Sequence, residues 1–270
     1  MLSNTSRLLT YVNALLYAVV GAWLFALPEQ LAPVFAWKVT AFMSMTIGGW
    51  CLGNAWLAFF TARRWSWTLT QTSLLYLWVF GIFELVVLYL FRDKLVLQHP
   101  VAWLYTITLA VNGIAALVGI ADVLRIRPAA DPSMEKTNGF QMTGLVLFIV
   151  FVGFLGYYGL SAQIGDVGTN GGIFPEVMSL FTLRSFGAFY LSIALGVVPL
   201  LWNRNLQSFL STGFLSYGLI IFITAAAFVY LRLFGFSERP GGLAYFGAYI
   251  AVGIVFLINF RMVGTGTRKA

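Results

Sequence analysis

An all-α integral membrane protein with eight transmembrane helices, set as two parallel-oriented four-helix repeats, is the fold this sequence predicts. Three observations predict it. Of 270 residues, 60% are hydrophobic and only 9% are charged, against about 25% charged in soluble domains. The apolar residues come in unbroken runs of about 20, long enough for helices to cross the hydrocarbon, rather than in the alternation of a barrel. A pattern of Pro-Glu, short loop and basic residue recurs in both halves of the chain. In lipid, every backbone N–H and C=O must be satisfied within the chain, and a helix does this by itself.

The spans are expected near Leu8–Leu27, Trp37–Ala62, Leu69–Phe91, Val101–Leu124, Phe140–Leu160, Leu180–Trp202, Ser208–Leu233 and Leu243–Val263. The first follows Arg7 as a signal peptide would, but its apolar stretch is long enough to span. Residues 1–124 form the first repeat and residues 140–270 the second. The polar stretch "RIRPAADPSMEKTNG" (Arg125–Gly139) links them on the cytoplasmic side. A glycine-rich loop, Ser161–Glu176, follows the fifth span. Its Asp166 and Asn170 are too few and wrongly spaced for a calcium loop, and it lacks the lysine of a phosphate cradle. Pro199 predicts a kink in the sixth span.

Lysine and arginine set the orientation. With eight spans, Arg7, Arg63, Arg64, Arg125, Arg127, Lys136, Arg204, Arg261, Arg268 and Lys269 share a side with the termini. Lys38, Arg92, Lys94, Arg184, Arg232 and Arg239 lie on the other. Ten against six places both termini in the cytoplasm of a prokaryotic plasma membrane. The net charge of +7 is therefore orientation charge, and no nucleic-acid partner is expected. Trp37, Trp65, Trp67, Trp103 and Trp202 fall near span ends, as an interfacial belt requires.

The repeat is carried by three ordered matches: "LPEQLAPVFAWKVTAF" with "FPEVMSLFTLRSFGAF", "VLYLFR" with "FVYLRL", and "LAVNGI" with "IAVGIV". Four spans per half is an even number, so the halves enter the membrane in the same direction. The stretch "RSFGAFYLSIALG" (Arg184–Gly196), after its Pro-Glu loop, resembles a family of small bacterial four-helix membrane proteins of uncharacterised function. The first half departs from that family's pattern at "KVTAFMSMTIGG" (Lys38–Gly49). The resemblance implies a tandem fusion of two such units; it implies a fold and no reaction.

One acid sits deep in an apolar run. Glu84, within "YLWVFGIFELVVLYLF" (Tyr76–Phe91), lies about 6 Å from the middle of the third span at 1.5 Å per residue. A carboxylate there costs several kcal/mol unless protonated or paired. Gly81, one turn away, leaves room for a helix or ligand. Asn112 and Thr108 share a stripe of small and polar residues on the fourth span, at a depth from which the Asn112 amide could reach Glu84. These four residues make up the candidate ligand site. Its counterpart for Glu84 in the second half is Ala225, so such a site exists once. Glu84 reads equally as a proton-carrying or ligand-orienting acid and as a protonated acid that ties the bundle.

Near the outer face, Lys38 and Arg184 either snorkel to headgroups or pair with Glu29 and Glu176, pinning the two Pro-Glu loops. Lys38 could also reach toward Glu84. "GWCLG" (Gly49–Gly53) marks close helix packing.

One cysteine, Cys51, and one histidine, His99, leave no disulfide, no thiolate cluster and no bis-histidine haem. No span holds a central lysine, so no retinal is expected, and no metal motif is present. The catalytic sets of known chemistries are missing, which favours a non-enzymatic protein: an accessory or assembly subunit of a membrane complex, a binder of an apolar ligand such as a lipid, quinone or carotenoid, or both. A proton-coupled transporter using Glu84 is the alternative. Glu84 with Asn112 also resembles the acid and amide of four-helix sterol isomerase-type proteins, which would imply isomerisation of an apolar substrate.

Overall fold

Helices begin where a polar side chain can hold the first free amides, and six of the eight long helices show this. In the computed structural model, which describes residues 1–131, 135–163, 176, 178–238 and 240–266, Ser3 accepts from the Ser6 amide to open α1 (Asn4–Ala26). Thr40 opens α2 (Ala41–Arg64) by accepting from Met43. Ser66 precedes α3 (Trp67–Leu90), where its backbone carbonyl rather than its side chain takes the amides of Leu69 and Thr70. His99 caps α4 (Pro100–Ile126), whose proline at the first position has no amide to satisfy. Asn138 and Gln141 form a reciprocal capping box at α5 (Gly139–Ser161). Ser179 opens α6 (Leu180–Val197) and Asn205 opens α7 (Leu206–Val229). The last long helix, α8, is Gly241–Gly266. No strand occurs among the described residues; one isolated bridge joins Lys136 and Asn205.

Seven of these helices are long and apolar enough to cross a membrane. The exception is α2, whose 24 residues match α3 in length but include Ser44, Thr46, Asn54, Thr61 and three glycines. The reason is its position. It lies between α1, α7 and α3, and most of its residues are buried, so it meets protein on sides where other helices expose apolar side chains. Gly48 lets it approach α1, where a Cβ would come within 2.7 Å of the Phe25 amide nitrogen. Gly49 and Gly53 face α7, where a Cβ at Gly53 would lie 2.5 Å from Leu219. The small-residue motif therefore packs one helix of this chain on another.

Hydrogen bonds sort the helix ends onto two faces. On the proximal face, which holds the amino terminus, Ser3 and Ser6 bind Asp122, Trp65 donates to the Leu2 carbonyl at 3.2 Å, and Thr137 donates to the Arg204 carbonyl. On the distal face, Val96 donates to Ala36, and the segment before α2 bonds both the segment before α6 and the end of α7. Between the faces, α2 packs on α7 and α3 packs on α6, while α3 also touches α7.

Several sequence expectations change in place. The second helix starts at Ala41 and not at Trp37; Trp37 and Trp65 are buried rather than interfacial, whereas Trp103 and Trp202 are exposed. Pro199 ends α6 instead of kinking it, and one helical turn, Leu200–Asn203, follows. Asp166 and Asn170 lie outside the described residues.

Candidate functional site

Asn112 is the hub of the polar interior. Its amide donates to the Tyr17 hydroxyl on α1 and to the Leu77 carbonyl on α3, both at 2.9 Å, and its oxygen accepts from Asn13 at 3.2 Å. Gly81 makes this possible, because a Cβ there would lie 2.6 Å from the Asn112 amide nitrogen. Gly81 thus admits α4 rather than a ligand. Thr108 is buried and turns back on its own helix, donating to Leu104 at 2.7 Å. The expected Asn112–Glu84 bond does not form, since both amide hydrogens are already spent.

Glu84 is fully buried, and no side chain among the described residues meets its carboxyl in good hydrogen-bond geometry. Ser185 of α6 lies beside it. Tyr17, Cys51, Tyr76 and Tyr105, from α1 to α4, are within electrostatic reach. Ser185, Tyr105 and Trp50 also have unpartnered polar atoms. An aromatic layer closes the distal side: Trp37 stacks on Phe181 at 4.2 Å, and Phe35 and Trp37 both meet the Tyr105 ring.

The expected ion pairs of the Pro-Glu loops are replaced by neutral partners. Glu29 accepts from Tyr230 at 2.8 Å and Glu176 accepts from Thr40. Each acid therefore reaches across to the other half of the chain. Arg184 turns to the end of α5, donating to the Gly159 carbonyl at 2.8 Å and to that of Ala162 at 2.6 Å. A guanidinium does this because the last carbonyls of a helix carry partial negative charge and no internal donor. Lys38 is exposed and beyond ion-pair distance of Glu29. Both lie on a hollow of about 430 Å³ whose floor is Phe35 and Trp37. Burial raises the pKa of Glu176, and the Glu29 charge adds to the rise against the Thr40 hydrogen bond. Tyr230 is raised by burial and by the two nearby carboxylates.

One sizeable cavity among the described residues was not legible in the sequence. A crevice of about 610 Å³ separates α5 from α8, lined by Phe140, Gly144, Leu147, Phe151, Gly247 and Val255 among others. A narrower pocket of about 90 Å³ toward α6 and α7 shares Phe148, Phe151 and Val252 with it. Tyr190 and Tyr249, whose hydroxyls pair at 2.9 Å, are among its lining residues. The walls are thin where glycines face each other: a Cβ at Gly144 or Gly247 would meet nothing within 4 Å. Between α1 and α4, by contrast, the Asn13–Asn112–Tyr17 bonds join the two helices.

Groups of three or more metal-binding side chains are absent among the described residues. No protein-family model, curated protein or solved structure matches the chain.

Proposed function

We propose that this chain is a non-enzymatic membrane protein that holds one apolar chain, lipid or isoprenoid, in the crevice between α5 and α8. In this reading all eight long helices span, α2 crossing inside the bundle, and both termini lie in the cytoplasm of a prokaryotic cell. The two halves are parallel repeats. Their equivalence is supported by the reciprocal contacts, α2 on α7 and α3 on α6, and by the Pro-Glu acids that each reach into the opposite half.

The crevice is the observation on which the reading rests. Its volume falls within the range of about 300–1,000 Å³ common to small-molecule sites. Size also decides against a partner helix. A helix about 10 Å across takes up roughly 80 Å³ per ångström of its length, so 610 Å³ would admit about 8 Å of it, or one and a half turns. A single hydrocarbon chain is several times thinner. Its driving force is dispersion against close-fitting walls, because lipid tails offer no hydrophobic gain by themselves. Tyr190 and Tyr249, which line the narrower pocket, carry hydroxyls that suit an oxygen-bearing headgroup or ring.

The test is extraction of apolar compounds from protein purified in nanodiscs. One species should be enriched over the bulk lipid, and Gly247→Phe, whose Cβ enters open space in the crevice wall, should abolish the enrichment. A compound profile equal to that of empty nanodiscs refutes the reading.

A further inference from the structure

The distal third of the bundle holds a second site, unconnected to the crevice. Glu84 is six residues from the end of α3, about 9 Å below the distal face at 1.5 Å per residue. Its one neighbouring hydroxyl is Ser185, which lies outside good hydrogen-bond geometry, and the buried Tyr105 hydroxyl has no partner among the described residues. The titratable groups around it are Tyr17 on α1, Cys51 on α2, Tyr76 on α3 and Tyr105 on α4; α6 presents only Ser185. No cation is among them, and no described basic residue is within ion-pair distance.

Access differs between the two sides. Toward the distal face, a single aromatic layer separates Glu84 from the hollow that holds Glu29 and Lys38. Phe35 and Trp37 floor that hollow and at the same time meet Tyr105, with ring centres 5.1 and 5.6 Å apart. Toward the proximal face, one string of hydroxyls and amides runs inward through Thr72–Thr212 and Thr61–Ser73 to Tyr76–Asn54, and a second runs along α1 through Ser6, Thr10 and Asn13 to Asn112 and Tyr17; neither is hydrogen-bonded to Glu84. Beyond Tyr76, the side of α3 toward α6 is closed by Phe80 against Phe189, with Trp50 stacked behind.

We propose that Glu84 is an exchangeable proton site, loaded from the distal hollow when the Phe35–Trp37 layer shifts. Hydronium gives a proton to the carboxylate and leaves as water; release is the reverse. Tyr105 packs on the layer and lies within electrostatic reach of the acid; when the layer's shift brings its hydroxyl to hydrogen-bond distance of Glu84, it hands the proton on by accepting on its oxygen while donating its own hydrogen. This gives the protein a proton-linked activity in addition to holding an apolar chain, and it stands or falls apart from that reading.

Infrared difference spectra of the reconstituted full chain in H2O and D2O test it. A protonated carboxyl C=O band should be present, shift on deuteration and vanish in Glu84→Gln. Trp37→Ala should speed its exchange at least about tenfold, Trp37→Phe should keep the wild-type rate, and Asn54→Leu, on the first proximal string, should change nothing. If Trp37→Ala does not fold, Phe35→Leu replaces it with the same expectation. The proposal is overturned by a missing band, by a band that survives Glu84→Gln, by exchange indifferent to both aromatic variants, or by exchange that responds to Asn54→Leu.

Discussion

Asn112 joins three helices through one side chain, so its loss should be felt by all of them. Hydrogen bonds between membrane helices are worth about 0.6 kcal/mol each on average, up to about 1.7. With three bonds removed, Asn112→Leu should lower unfolding free energy by about 2–4 kcal/mol, the added bulk against Gly81 included. Steric-trapping measurements of stability would show it; a change under about 0.5 kcal/mol would mean that the network is idle. Glu176 sets a pH dependence. Its carboxyl holds a proton more tightly folded than unfolded. Its stabilising contribution is therefore complete below the ordinary glutamate value of about 4.3 and is lost as pH rises through the higher folded value. Thermal midpoints of the wild type should fall as pH rises from that value, and Glu176→Gln should flatten the slope. A slope unchanged by Glu176→Gln would place the titration elsewhere.

At the scale of elements, α5 is held at one end by a side chain and along its length by absent ones. Arg184 forks onto the Gly159 and Ala162 carbonyls, and Arg184→Leu should leave these unpaired. Hydrogen exchange at amides 160–163 should then rise about tenfold, corresponding to about 1.4 kcal/mol of lost local protection, while α7 stays unchanged. Lysine, a point charge without the fork, should restore only part of it. Gly187 makes the contact of α6 with α5, since a Cβ there would lie 2.6 Å from the Leu160 nitrogen. Gly187→Val should separate the two helices and cost about 2 kcal/mol or more, read by loss of the α5–α6 pairing in cross-linking.

For the whole molecule, the first four helices are sealed by amides and the last four are left ajar. Filling the crevice should cost nothing structurally. Gly144→Leu and Gly247→Phe place side chains where nothing is within 4 Å, and replacing glycine inside a helix gains up to about 1 kcal/mol. Both variants should be as stable as the wild type in lipid, or more so, by thermal unfolding in nanodiscs. Destabilisation of both would show that the crevice closes in the membrane.

Helicity, the positions of most helices within a few residues, and the isolation of Glu84 were written in the sequence, because lipid forces every apolar run of this length to satisfy its own backbone. The caps at Ser3, Thr40, Asn138, Ser179 and Asn205 stand beside those runs in plain order. Partners were not legible. Asn112 belonged to Tyr17 and Asn13 rather than to Glu84, and Arg184 to a helix end rather than to Glu176, because adjacency of helices follows from packing across the whole bundle. Even the membrane signal of α2 weakened for that reason: a helix surrounded by protein is free to use glycine, serine and asparagine. The crevice was least visible of all, since its walls are ordinary apolar residues. Only the tertiary arrangement decides that α5 and α8 stand apart where α1 and α4 meet.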